Sequence, residues 1–579
     1  VFTIQVTDSL SQSGSHGYTM NIAALPIIVS ISNKISTIQA GAAAVTLNAV
    51  VQHDTQGVTW SLTANGTACS PTCGTLGNIT ANNVDYTPPA TVPGAPNNAP
   101  VITATSVTDN TKTDTDSFTI ASATAACTTQ GSESVLSGKY AFSLRGYNDT
   151  GFAAVVGSFT ADGTGHITAG ELDMNGAFGL HTQVSIIPSG STYSVGSDNL
   201  GCAVIATASG TFTTRIAVGG LASNVATKGR ILEWETGSSA FIASGQLLKQ
   251  TIAGSLSGSY VFSIVGEDYT GPVPIACVGV WAASSGALSA GEQDCNDGGV
   301  VAHETGMTGT YTSLDSSGRG TSSLVSSHGT SHLAFYMASS SELLMVGTDP
   351  QSSTPGYSGE MRPQSGTFNS ASLNGVSVFY MNGFSGGGQT VADIGLFTSS
   401  AGTAAINMYE DKGGTISNNA FSCGYTVAAN GRVTLSGTNC APGPSLYLTA
   451  ARTGFILTNG NGVDTGGMEP QVAGPFSNSS VSGTLFTGTS LIPMQGVEPG
   501  VGWVTLNNGS ASGVSDNTGT TYQNAGNSFS DTYSVNSAGF VTISGDSNPT
   551  LLVISGSKLV KIDPSSSSDP NPMLMIMEK

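Results

Sequence analysis

Apolar and polar residues alternate along most of this chain with a period of two, the spacing of half-buried β-strands. Phe2, Ile4 and Val6 alternate with Thr3, Gln5 and Thr7, and after a Ser/Gly-rich turn Tyr18, Met20 and Ile22 repeat the pattern. A lone two-stranded hairpin is marginal in water. Residues 1–25 therefore read as an incomplete strand pair, with Val1, Phe2, Ile4, Val6, Tyr18, Met20 and Ile22 available to complete a sheet elsewhere. About seven further alternating segments between Pro26 and Ala121 predict a complete β-sandwich over 26–122.

From Cys127 onward one unit recurs four times. VGSF at 156–159, VGVW at 278–281, IGLF at 394–397 and VGWV at 501–504 follow one another at intervals of 122, 116 and 107 residues. A Tyr leading to a glycine turn keeps the same beat: Tyr193 to Gly201, Tyr311 to Gly318, Tyr425 to Gly431 and Tyr533 to Gly539. A Gly-x4-Gln element closes three of the units, at Gly245 to Gln250, Gly359 to Gln364 and Gly466 to Gln471. Such periodicity marks diverged copies of one domain, bounded here as 127–250, 251–364, 365–471 and 472–579. Each copy holds seven or eight short alternating segments separated by Gly, Ser or Asn turns. The expected class is all-β: a tandem Ig-like β-sandwich followed by four antiparallel β-barrel or β-sandwich repeats. The strand glycine of each VGxF suits a bend in a barrel wall and favours the barrel.

Two resemblances sharpen this picture. VTWSL with Trp60, YTPPA at 86–90 and the closing VITATSVTD…SFTI resemble the bacterial Ig-like domains of surface proteins, and FTIQVTDS resembles the penultimate strand of the modules that precede them. LSGKYAFSLRGYNDTG…VGSFTADGTG is similar to uncharacterised repeats that follow such domains in surface proteins of environmental bacteria. These resemblances imply a surface location and carry no activity.

Composition narrows the function classes. Only 16 Lys and Arg stand against 36 Asp and Glu, a net charge of −20, which argues against nucleic acid as a partner. Charged residues make up just 9% of the chain, leaving a surface of Gly, Ser, Thr and Asn. The eight cysteines form short-range couples, Cys69 with Cys73, Cys277 with Cys295 and Cys423 with Cys440, leaving Cys127 for Cys202. As disulfides they place the chain in an oxidising compartment, extracellular or at the cell surface; the spacing is a weak zinc signal. No 18-residue apolar run is present, so membrane insertion is not expected. No signal peptide or initiator Met begins the sequence, which suggests a portion removed or not included.

Candidate chemistry is sparse. GFSGG at 383–387 has the spacing of a nucleophile elbow around Ser385, but its place in the repeat is a glycine-rich hairpin turn. His328 and His332 would lie ~13 Å apart on a strand, too far to share an ion, and read as part of an exposed turn. Glu171, Asp173 and Asn175, and again Glu292, Asp294 and Asn296, alternate onto one strand face, where three oxygens could begin a calcium site. The third copy keeps only Glu410 and Asp411, which favours a solvated polar face and no cofactor. Sequons stand at Asn65, Asn78, Asn148, Asn478 and Asn508, where turns or strand edges would accept a sugar. Trp281 and Trp503 occupy the VGxF register and read as core rather than sugar platforms.

The leading expectation is a structural subunit of an extracellular fibre, a head-to-tail homopolymer in which the hairpin adds to a sheet of the next copy. Residues upstream that complete the first domain are the rival account of the hairpin. An adhesin or carbohydrate-binding array facing surface glycans is the alternative function. An enzyme ranks last, since no acid/base pair, triad or metal cluster persists across the repeats.

Overall fold

A computed structural model of the chain describes residues 2–7, 9–10, 12–18, 25–32, 34, 37–39, 44–89, 93–121, 130–237, 239–252, 254–268, 273–327, 329–350, 355–438, 440, 443–490, 497–520, 523–563 and 571–579. It divides into two compact units, residues 1–126 and 127–579. Among the described residues every element apart from short 3-10 turns is a β-strand, and no helix there is long and apolar enough to cross a membrane.

The first unit holds a two-sheet sandwich. One sheet orders its strands Thr113–Ser117, Val101–Ser106, Val58–Ala64 and Thr67–Ala68; the other runs Ile28–Ser32, Val45–Gln52, Asn83–Thr87 and Thr75–Gly77. Alternation decides which side chains enter the core: Leu47, Val84, Tyr86, Ile102 and Ala104 are fully buried between the sheets. The Tyr86 hydroxyl donates to the Cys73 carbonyl at 2.6 Å, beside the Cys69–Cys73 disulfide. Burial pushes that phenol up to about 12. Ahead of the sandwich, Phe2–Thr7 and Ser13–Tyr18 form a separate two-stranded antiparallel sheet.

In the second unit, copies two, three and four are closed eight-stranded barrels, with strands running from Gly258 to Pro363, Gly375 to Pro470 and Gly483 to Glu578. Each is an up-and-down meander whose first and last strands pair, and the long fourth strand of each extends beyond the strand that follows it, leaving part of its edge open. The first copy departs from the barrel expectation. Its nine strands form one sheet whose terminal strands, His181–Ser185 and Thr192–Val195, are the two halves of a single interrupted strand. The other copies keep that strand whole as Val300–Tyr311, Thr415–Val427 and Gln523–Val535. Pro188 makes the difference: it opens a 3-10 turn at Pro188–Gly190, and proline cannot donate to a ladder. Isolated bridges Ile186 to Thr207 and His166 to Thr192 are the remaining stitches.

The VGxF glycine has a different reason from a bent wall. Gly279 lies directly across the strand pair from Phe262, and a Cβ there would come within 2.5 Å of the Phe ring. Gly395 faces Phe379 in the same way, at 2.4 Å. The glycine leaves room for an aromatic ring to lie over the sheet inside the barrel. The recurring Tyr closes one barrel end: Tyr193 donates to Leu136 O at 2.8 Å, Tyr311 to Leu256 O at 2.7 Å and Tyr425 to Ser370 O at 3.0 Å.

Candidate functional site

The four copies contact one another in a ring. Val156, Phe152 and Ala154 of the first pack on Tyr336, Leu344 and Val346 of the second. Val261, Val278 and Val280 of the second pack on Tyr447, Phe455 and Leu457 of the third. Val378, Ile394 and Leu396 of the third meet Phe540, Leu552 and Ile562 of the fourth. Leu200, Ala217 and Trp234 of the first meet Phe486 and Val501 of the fourth, which closes the circle.

Buried charge fixes two of these junctions. Asp173, 0% exposed, accepts Nε and Nη2 of Arg319 at 2.7 Å each and the Tyr336 hydroxyl at 2.6 Å. One junction later Asp294 accepts Nε and Nη2 of Arg432 at 2.7 Å each and the Tyr447 hydroxyl at 2.8 Å. These are planar two-pronged ion pairs, the strongest geometry a guanidinium offers. The Asp173 side holds the Arg319 guanidinium well above its usual range, and burial pushes the Tyr336 phenol up.

The acidic strand faces are therefore not solvated, as the alternation suggested, and Asp173 and Asp294 are committed to Arg and Tyr rather than open to calcium. Asn175 Nδ2 donates to the Gly347 and Asp349 carbonyls at 2.9 and 2.8 Å, and Asn296 Nδ2 to Thr458 O and Gly462 O at 2.8 and 2.6 Å. Each amide holds a loop of the following copy. Glu292 accepts from Asn430 and pairs with His303 at 2.9 Å, while burial raises the Glu171 carboxyl beside Asp315. The closing Gln is a latch of the same kind. Gln250 Nε2 donates to Ser317 O and Met337 O at 2.9 Å, Gln364 Nε2 to Asn430 O and Leu448 O at 2.7 Å, and Gln471 Nε2 to Val553 O at 2.7 Å.

At the centre of the ring all four copies line a cavity of about 400 Å³. Five of the chain's 16 Lys and Arg face it, Arg145, Lys228, Arg230, Arg362 and Lys558, together with Glu342, Glu360, Glu469 and Glu578. Glu578 takes Lys228 at 2.5 Å and Arg230 at 2.9 Å, Glu469 takes Lys558 at 2.6 Å, and Glu360 takes Arg362 at 2.9 Å. Burial alone would raise Glu578, but Arg230, Lys558 and Lys228 hold it down at about 2. The network ties the first copy to the fourth and the fourth to the third around one polar hub.

A second cavity, of about 280 Å³, lies inside the third barrel, among Met381, Met408, Phe421 and Met468. Asp393, Asp464 and Glu410 line it as well. Burial, with Glu410 next, pushes the Asp464 carboxyl up to about 8, against the opposing pull of Lys412; burial and the charge of Asp464 raise Asp393 too. A carboxyl with a folded value near 8 and an unfolded value near ~3.9 holds its proton longer in the folded chain. Its contribution to stability is full below about pH 4 and is lost as pH rises towards 8. Thermal melts between pH 5 and 8 should show stability falling with pH, and Asp464→Asn should flatten that slope.

The remaining candidate residues are placed as follows. Cys69–Cys73, Cys277–Cys295 and Cys423–Cys440 are disulfides. Cys202 is also disulfide-bonded, while Cys127 lies outside the described residues. Phe2, Ile4, Val6 and Tyr18 lie on the hairpin strands, and Val1, Met20 and Ile22 lie outside the described residues. Asn65, Asn78 and Asn508 sit at exposed positions with φ of 47°, 46° and 43°. Asn148 ends a strand half-buried. Asn478 differs from the sequence expectation, because its Oδ1 accepts Val535 N at 2.8 Å and its Nδ2 reaches Tyr533 O, so a sugar there would disturb packing. Ser385 lies in the turn joining Gly375–Phe384 to Thr390–Ser400. His332 is on a strand rather than in a turn, its Nδ1 2.6 Å from Asp349, and His328 lies outside the described residues. Trp281 is 2% exposed and stacks on Phe262 at 4.5 Å, and Trp503 is half-buried against Phe486, so neither offers a sugar platform.

No protein-family model matches this chain, and no curated protein matches it.

Proposed function

We propose that the chain is a structural component of an extracellular assembly, with the four-copy ring as its body and the N-terminal hairpin as its joint. The observation that carries this reading is the isolation of the hairpin: Phe2–Thr7 and Ser13–Tyr18 pair with each other from Phe2/Tyr18 to Thr7/Ser13 and with no other strand among the described residues. Unpaired edges recruit strands, and β-strand addition is the association that satisfies them. Each of the three barrels pairs its first strand with its last, so its open edge is confined to the outer part of one strand, such as Val300–Tyr311, which meets the strand after it only from Thr308 on. The hairpin and the edge strands of the sandwich, by contrast, are open along their whole length. The disulfides fit an oxidising setting. A contact made head to tail by a donor hairpin and an acceptor sheet does not close on itself and generates a filament.

Negative-stain electron microscopy of the full chain, beside a variant lacking residues 1–24, tests this. Regular filaments for the full chain and single particles for the variant are expected. Single particles for both, or filaments for both, would overturn strand donation by this hairpin.

A further inference from the structure

The cavity inside the third barrel differs from the same place in its siblings at three positions, and all three changes install a carboxyl. Asp393 pairs across strands with Glu410. In the second copy the corresponding partners are Cys277 and Cys295, joined as a disulfide, and in the first they are the buried Val155 and Met174. Asp464 lies opposite Gly383. The residues opposite the matching glycines are Tyr357 across from Gly266 and Ala243 across from Gly146. Three independent substitutions converge on one end of one barrel.

Left to themselves these groups are costly. Asp393 is 5% and Asp464 7% exposed, and Oδ1 of each is buried without a hydrogen-bond partner. A buried polar atom without a partner has given up its hydration and gained no hydrogen bond in return, a penalty that grows when the group is charged. The rest of the lining is apolar and soft, with Met381, Met408, Met468 and Phe421 around the cavity. Such walls supply too few oxygens for a hard cation that wants six to eight, and no group of three or more metal-binding side chains is found among the described residues. They do suit a hydrocarbon body, since thioethers adapt to irregular shapes and contact aromatic rings favourably. An apolar pocket with a few convergent polar groups is the usual form of a small-molecule site.

We propose that the interior of the third barrel binds an organic amine. Its ammonium group sits among Asp393, Asp464 and Glu410, and its apolar body lies against Met381, Met408, Met468 and Phe421. The ammonium supplies the donors that the two Oδ1 atoms lack, its charge favours release to solvent of the proton these buried acids hold in its absence, and carboxylate and ammonium then neutralise one another away from water. The second barrel does not share the site, because its disulfide occupies the place of two of the carboxyls. This site is independent of filament formation and can be tested whether or not the chain assembles.

The experiment is isothermal titration of the full chain at neutral pH with tryptamine, with phenethylamine, and with 2-phenylethanol as the uncharged counterpart of the latter. Saturable binding of the amines at one site per chain is expected, with the alcohol at least tenfold weaker. Asp393→Asn and Asp464→Asn should each weaken the amines tenfold or more while leaving the alcohol unchanged, and near-UV circular dichroism confirms that both variants are folded. Asp516→Asn, in the fourth barrel, serves as a control that should bind as the parent does. No binding of either amine, equal binding of amine and alcohol, or amine affinity unmoved by both substitutions would overturn the proposal.

Discussion

Arg432→Met should destabilise the four-copy unit by about 3–5 kcal/mol, the loss typical of removing one partner of a buried ion pair. The substitution leaves Asp294, 1% exposed, and the Tyr447 hydroxyl without their cation in a junction walled by Val278, Val280 and Leu457. Chemical denaturation followed by Trp fluorescence reads the loss as an earlier first transition. Replacing the whole triad, with Asp294→Leu, Arg432→Met and Tyr447→Phe together, should recover most of it, because uncharged residues of similar volume often substitute for a buried pair at little net cost. If Arg432→Met costs less than about 1 kcal/mol, water reaches the junction and the triad is not what holds it.

Phe540→Arg should be as damaging, for the opposite reason. The junction between the third and fourth copies has lost the triad: Tyr409 stands where Asp173 and Asp294 stand, Phe540 where Arg319 and Arg432 stand, and Leu552 where Tyr336 and Tyr447 stand. Tyr409 and Phe540 meet edge to face at 5.1 Å. A guanidinium at 540 would be buried opposite a phenol, at a cost of about 3–5 kcal/mol. Adding Tyr409→Asp should return most of that, and the coupling in the double-mutant cycle measures it. A double variant no more stable than Phe540→Arg alone would show that this junction no longer has the geometry of its siblings.

The strands, the fourfold repetition and the three short-range disulfides were legible because each leaves a local trace. Period-two alternation marks the strands, and VGxF marks a place where the second and third copies lay an aromatic ring over the glycine. The ring of copies was not legible. Its contacts join Asp173 to Arg319 and Asp294 to Arg432, separations of 146 and 138 residues, and no local period points across such distances. The signal that could have found it was the shared place of Asp173 and Asp294, each beside an Asn two residues on, together with an Arg directly after the glycine that follows the recurring Tyr. The missing members in the third and fourth copies hid it. The Gln of Gly-x4-Gln was visible as a marker, yet its partner carbonyls belong to the next copy. Pro188 could have warned that the first copy does not close as the others do. The buried acids of the third barrel resembled an ordinary polar face, since Glu410 and Asp411 are adjacent and only pairing shows which one points inward.

Closure of the ring also changes how tension would pass through the second unit. In an open string of domains, a pull between the first and last strand is transmitted through every domain in series. Here the copy that begins the unit touches the copy that ends it, through Trp234, Ala217, Phe486 and Val501 and through the bonds of Glu578 to Lys228 and Arg230. A force applied across residues 130 and 579 would meet that seam first, while the second and third copies stay slack until it parts. The seam between the first and fourth copies is thus a mechanical fuse, and single-molecule extension would register its rupture before any barrel unravels.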